Sequence, residues 1–182
     1  MKKMIFFISV IPLFGLLLLG CGTQDKGEIG SIDDKMTDPD IEGYIVKMTE
    51  QGILVVSVES EDLSSTGGKE EFYNAVWASN VNREVDIGQR VRVWFDGPIM
   101  ESYPGQGKAN KVIPVFSEKK LGANLTEELA IKRALLDQTK KIKTLFVPAI
   151  KKVEYVKETD TWKVEIKDTE GQKILKVTVK DE

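Results

Sequence analysis

The side chains that most often carry out chemistry in proteins are nearly absent from this chain. Its 182 residues include one cysteine, Cys21, and no histidine. Without histidine the chain lacks the commonest general base near neutral pH and the commonest metal ligand. A single cysteine gives neither a disulfide framework nor a thiolate metal site. Ser-His-Asp triads, Cys-His pairs and most zinc sites are thereby excluded, and no cofactor or metal is expected. Carboxylates remain, in adjacent pairs such as Glu70-Glu71 and Glu127-Glu128. Neighbours on a strand or helix point apart, and no apolar pocket is in view to raise a carboxyl pKa. These acids read as surface charge, and the chain reads as a non-enzyme.

The most unusual local stretch is Ser102-Tyr103-Pro104-Gly105-Gln106. Two readings stay open for it. Ser102, Tyr103, Pro104 and Gln106 can form an exposed binding loop that offers an aromatic face and amide donors. Alternatively, Pro104 and Gly105 simply shape a turn between two strands while Tyr103 packs on the body. Trp77, Trp94 and Trp162 lie in apolar runs and are expected in the core. The pairs Lys140-Lys141 and Lys151-Lys152 are expected on a solvated face.

Cys21 has a distinctive setting. Lys2-Lys3 is followed by an apolar run from Met4 to Leu19, then Gly20-Cys21 and an abrupt polar turn. That order fits a secretory signal over residues 1–20, and the run falls short of the ~20 apolar residues of a spanning helix. Leu18-Leu19-Gly20-Cys21 resembles a bacterial lipobox. The resemblance implies cleavage after Gly20 and a diacylglycerol on Cys21, two acyl chains being enough for stable attachment. The expected location is the cell membrane, on its extracellular face.

Charge narrows the choice of partners. The chain has 26 basic and 29 acidic residues, net −3, and loss of Lys2 and Lys3 with the leader takes it to −5. An acidic chain has no electrostatic footprint for a phosphate backbone, so nucleic acid is excluded as a partner. It does not favour an anionic lipid surface beyond the anchor either. The expected partners are the membrane, through Cys21, and an envelope protein or peptide. Oligomeric state is left open.

The elements that must position any site follow in order. Residues 21–40 are polar and acidic and read as a flexible linker. Residues 41–117 alternate as short strands: 43–48 and 53–58 around Gln51-Gly52 as a hairpin, 72–77, 91–95 after the Asp86-Ile87-Gly88-Gln89 turn, and 108–116. Five or six short strands with no crossover helix predict a small antiparallel barrel, OB-like in its order. Residues 118–182 begin with Asn124 as helix N-cap. Leu125, Leu129, Ala130, Ala134, Leu135 and Ile142 then fall at helical spacing. Pro148 ends the helix, and strands at 151–157, 161–167 and 173–180 complete the unit. The predicted fold is mainly β, an OB-like barrel followed by one helix on a three-stranded antiparallel meander.

Two family resemblances rest on these stretches. Residues 41–116, with Gly43-Tyr44-Ile45-Val46, Gly88-Gln89-Arg90-Val91, Trp94-Phe95-Asp96-Gly97 and Glu101-Ser102-Tyr103-Pro104-Gly105-Gln106, resemble the domain of small YobA-like lipoproteins of Gram-positive bacteria. That family implies location rather than mechanism. Residues 124–180, with Glu127-Glu128-Leu129-Ala130, Val153-Glu154-Tyr155 and Trp162-Lys163-Val164-Glu165-Ile166, resemble a PepSY-type domain, although Glu170-Gly171-Gln172 stands where that pattern has an Asp-Gly turn. The second resemblance implies an envelope protein that restrains a peptidase. The function expected from the sequence is a membrane-anchored protein- or peptide-binding module. The alternative is a barrel that binds a small molecule or cell-wall oligosaccharide.

Overall fold

Strands are the main regular element of the computed structural model, which describes residues 38–81, 84–141, 146–171 and 173–182. The signal segment, the Leu18-Leu19-Gly20-Cys21 motif, the linker up to Thr37 and Ile142 lie outside the described residues.

Five strands close a barrel: β1 (Ile41–Met48), β2 (Gly52–Ser57), β3 (Ala75–Ser79), β4 (Arg90–Phe95) and β5 (Gly105–Val115). Their order is β1-β2-β3-β5-β4, and β4 returns to β1. Four of the pairings are antiparallel, but β3 and β5 run parallel, Trp77 opposite Gln106 and Ser79 opposite Lys108. This is the five-stranded Greek-key barrel of the OB type, and the expectation of an all-antiparallel barrel is corrected at that one pairing. The third strand also starts later than expected. Phe72 makes only an isolated bridge to Glu61 and belongs to the β2–β3 loop. Gly52, at the start of β2, has no room for a side chain, since a Cβ there would sit 2.1 Å from the Ala78 carbonyl oxygen.

The barrel interior is filled by Ile41, Ile45, Ile53, Val55, Val76, Val91 and Val93. The outward side chains of the same strands, Tyr44, Val46, Leu54, Val56 and Ala75, are buried as well. That explains why Ile53-Leu54-Val55-Val56 is continuously apolar rather than alternating, since both faces of β2 are covered. The cover is α1 (Glu127–Lys141) with the antiparallel sheet β6 (Pro148–Val156), β7 (Thr161–Asp168) and β8 (Ile174–Lys180). Ala130, Ile131, Ala134 and Leu135 of α1 join Val147, Ile150, Trp162, Val164 and Ile166 in one apolar layer with the barrel's outer face. Each valine, leucine or isoleucine among them contributes ~1.5–3 kcal/mol when fully buried. Residues Asp38–Glu182 form one compact unit.

Polar contacts fix the helix on the barrel. Tyr44 donates its hydroxyl to Glu127 Oε1 at 3.0 Å, Glu128 Oε1 accepts from Ser117 N and Oγ at 3.0 and 2.8 Å, and Lys132 pairs with Asp86. The Glu127-Glu128 pair therefore clamps two layers together and is not loose surface charge. The helix begins at Glu127, and Thr126 takes the capping role: its carbonyl accepts from Ala130 N at 3.1 Å and its hydroxyl from Leu129 N at 3.4 Å. Asn124 is instead held by the C-terminal tail, its side-chain amide donating to the Asp181 carbonyl at 2.9 Å. The Asp181 carboxylate accepts from Leu125 N at 2.9 Å and from Trp162 Nε1 at 2.8 Å.

Candidate functional site

A groove of about 660 Å³ lies on the outer side of the barrel. Its floor comes from the parallel β3–β5 pair, where Trp77 lies beside Gln106 and Ser79 beside Lys108. One wall is the β1–β2 turn, with Thr49 and Gln51, and the other is the β4–β5 loop, with Asp96, Pro98 and Met100. The two walls are the 1–2 and 4–5 loops that flank the ligand face of OB barrels, while the floor here is the β3–β5 pair.

Several of the groove's polar groups are already committed. Thr49 Oγ1 donates to the Gly52 carbonyl at 3.3 Å and accepts from Gln51 N at 3.2 Å, while Ser79 Oγ donates to the Gly107 carbonyl at 3.2 Å. Lys108 pairs with Asp96 at 3.0 Å on the exposed rim, where screening leaves such a pair little energy. The side-chain amides of Gln51 and Gln106, both exposed, remain to meet a ligand. Between them stand the half-buried Trp77 ring and Met100, which is 64% exposed. A flexible thioether beside an aromatic ring adapts to ligand side chains of different shape.

A second hollow of about 320 Å³, lined by Val46, Lys47, Met48, Ile87, Leu135 and Leu136, shares Thr49 and Trp77 with the first. The two hollows adjoin at Trp77 as a Trp77 track, with Asp96 and Lys108 lining the first and Lys47 the second.

The stretch Ser102–Gln106 does not act as one loop. Ser102 Oγ donates to the Pro104 carbonyl at 2.7 Å, within its own turn, and Pro104 is buried. Tyr103 turns inward, its hydroxyl donating to the Tyr73 carbonyl at 3.1 Å and its ring centroid 5.6 Å from that of Phe72. Burial pushes the Tyr103 hydroxyl pKa above its ordinary value. Only Gln106 reaches the groove. Tyr103 lines a separate hollow of about 320 Å³ with Leu63, Lys69 and Phe72, so the four residues of the expected loop do not share one surface.

Other expectations are redistributed. Trp162 is fully buried, as expected of a core residue. Trp77 and Trp94 are only half-buried, and Lys111 Nζ lies 5.5 Å from the centre of the Trp94 ring. Glu71 accepts from Lys151 at 2.6 Å and also pairs with the buried Lys167, and these hydrogen bonds lower its pKa. Lys151 therefore belongs to a clamp between the β2–β3 loop and the second sheet. Among the described residues no three acids, histidines or cysteines gather as metal ligands, and no helix is long and apolar enough to cross a membrane. Sequence reasoning missed Gln51, Met100 and the exposed face of Trp77, because the β3–β5 register that gathers them leaves no local signal.

Fold and groove together define a class: an OB-type barrel whose outer face is covered by a helix and a small sheet, with an open groove over β3 and β5. Residues 42–113, the barrel up to two residues before the end of β5, match the family described as Protein of unknown function (DUF3221). No curated protein and no solved structure matches the chain.

Proposed function

We propose that this chain is a lipid-anchored, non-enzymatic binding module that holds an extended segment of another envelope protein along the Trp77 track. The observation that carries the reading is the pair of adjoining hollows that both have Thr49 and Trp77 in their lining. A track with an apolar line and amides at its edges suits a polypeptide, whose backbone needs hydrogen-bond partners and whose side chains need adaptable apolar contacts. The anchor rests on Leu18-Leu19-Gly20-Cys21 and on the resemblance of the barrel to YobA-like lipoproteins. The PepSY-type resemblance of residues 124–180 makes restraint of a peptidase the specific version.

A second reading is favoured by one feature. The Trp77 ring flanked by the Gln51 and Gln106 amides also suits a sugar ring, which takes an aromatic face and hydrogen bonds at its edge.

A nitrogen-edited NMR titration of residues 38–182 separates the two. Unstructured peptides are expected to shift the Trp77 Nε1–H and the Gln51 and Gln106 side-chain amides together. Cell-wall disaccharide fragments are expected to leave them in place. Shifts with the fragments and none with the peptides would replace the first reading with the second. The anchor is tested separately, by release of a Cys21→Ser chain from membranes into the medium.

A further inference from the structure

Phe116 and Leu121 are the most exposed large apolar side chains among the described residues, at 79% and 89%. Both lie on the loop between β5 and α1, with Lys119 and Lys120 exposed between them and Glu118 as the loop's one acid. The loop is not free to fold its apolar groups inward. Ser117 is held at Glu128, Ala123 N donates to the Lys120 carbonyl at 3.0 Å, and the Tyr155 hydroxyl donates to the Gly122 carbonyl at 3.1 Å. A pinned loop thus keeps a phenylalanine and a leucine in water beside two cations. Apolar side chains with neighbouring lysines are the composition that settles at a bilayer interface, with the ring and leucine in the acyl boundary and the ammonium groups at the headgroups.

The geometry of the tether agrees. Cys21 lies seventeen residues before Asp38, so the body can stand no farther than about 60 Å from the acyl chains even with that segment fully extended. The chain enters β1 beside β4, where Asp40 Oδ2 accepts from Phe95 N at 2.7 Å. Trp94 of that strand pairs with Lys111, five residues before Phe116, roughly 17 Å along β5. Phe116 follows Val115, which pairs with Arg90 at the start of β4, so entry point and loop lie at opposite ends of the β4–β5 pair, a span that the seventeen-residue segment can still cover.

We propose that the Phe116–Leu121 loop, locally basic although the chain as a whole is acidic and does not favour anionic lipid elsewhere, is a second membrane contact, seated in the headgroup region of the bilayer that carries the anchor, with Lys119 and Lys120 against anionic lipid. This rests on the anchored reading above and adds an orientation to it: the body lies on the membrane by this loop.

The test replaces residues 1–21 with a hexahistidine tag and holds the chain on vesicles of phosphatidylcholine, phosphatidylglycerol and a nickel-chelating lipid. With Cys21 gone, a single cysteine at Leu121→Cys or, as control, Ser65→Cys carries an NBD fluorophore. Melting curves first establish that both labelled chains fold. The expected result is reduction by aqueous dithionite on the order of tenfold slower at 121 than at 65, as befits a group below the headgroup boundary. The protection is expected to be lost with Lys119→Glu and Lys120→Glu. Equal reduction rates at the two positions would overturn the proposal, and so would protection at 121 that persists without vesicles, which would mean contact between copies of the chain. Because the tag stands in for the lipid, a negative result speaks against the loop alone. The Cys21→Ser release experiment judges the anchor.

Discussion

Gly88 offers the sharpest test of how the barrel and helix are joined. It sits in the turn before β4 at φ +90°, and a Cβ built there would lie 2.3 Å from the Glu128 carbonyl oxygen and 2.8 Å from Lys132 N. The turn and the helix backbone are thus in direct contact, and Gly88→Ala must either move α1 or distort the turn. Gly97 has almost the same backbone, φ +86°, with nothing within 4 Å of its Cβ position. Both substitutions bear the left-handed penalty of ~1–2 kcal/mol. Only Gly88→Ala adds overpacking, ~1–3 kcal/mol, and the weakening of the Tyr44–Glu127 hydrogen bond, ~1 kcal/mol. The difference between the two variants is then roughly 2–4 kcal/mol, a large share of the ~5–15 kcal/mol that holds a typical domain folded. Urea unfolding of residues 38–182 followed by tryptophan fluorescence reads it directly. With a slope of about 2 kcal/mol per molar, the Gly88→Ala midpoint should fall about 1–2 M below that of Gly97→Ala. Equal midpoints would refute the claim that the helix is docked on this turn.

Three further outcomes follow from the packing and the charges. Leu54→Ala, on the barrel's outer face, should cost about 2–5 kcal/mol, as much as Ile53→Ala in the interior, because both side chains are at most 2% exposed; a cost below about 0.5 kcal/mol, typical of surface changes, would show that the outer face is open. The Lys132 hydrogen bond holds the Asp86 pKa below its ordinary value. A depressed acid stabilises the fold above its unfolded pKa and loses that contribution as pH falls through the folded one. The stability gap between the wild type and Asp86→Asn, a fraction of a kcal/mol for so exposed a pair, should therefore be constant from neutral pH to about 5 and close below about 4; a gap that widens on acidification would reverse the sign. Met100→Asp and Gln106→Arg, both at exposed positions, should leave the unfolding midpoint unchanged and weaken peptide binding about tenfold or more if these side chains are central contacts. A drop in stability instead would place them in the core.

Much of the architecture can be read from the residues because local patterns carry it. The Gln51-Gly52 turn between apolar runs marks the first hairpin, Gly88 marks the turn into β4, and the helix and three-strand meander follow from spacing and from Pro148. What the pattern hides is long-range pairing. Phe72 looks like strand because it is aromatic, yet its backbone meets only Glu61. Asn124 looks like a cap because an acid follows three residues on, yet it is engaged by Asp181, 57 residues away, and Thr126 caps the helix. The same limit applies to the site. Tyr103 and Gln106 are three residues apart but point to different sides of the barrel, one to the Tyr73 carbonyl and one to the groove. Trp77 and Gln106 become neighbours only through the parallel pairing of β3 and β5. The continuous run Ile53-Leu54-Val55-Val56 was the one local hint that β2 is covered on both faces.

Photocrosslinking in living cells addresses the central claim most directly, with the full anchored chain carrying a photoreactive amino acid at Gln106 and, as control, at Ser65. The account predicts one polypeptide captured from position 106 and not from 65, with capture lost on Met100→Asp while the protein stays folded and in the membrane. The same set of neighbours from both positions, unchanged by Met100→Asp, would contradict peptide binding in the Trp77 track.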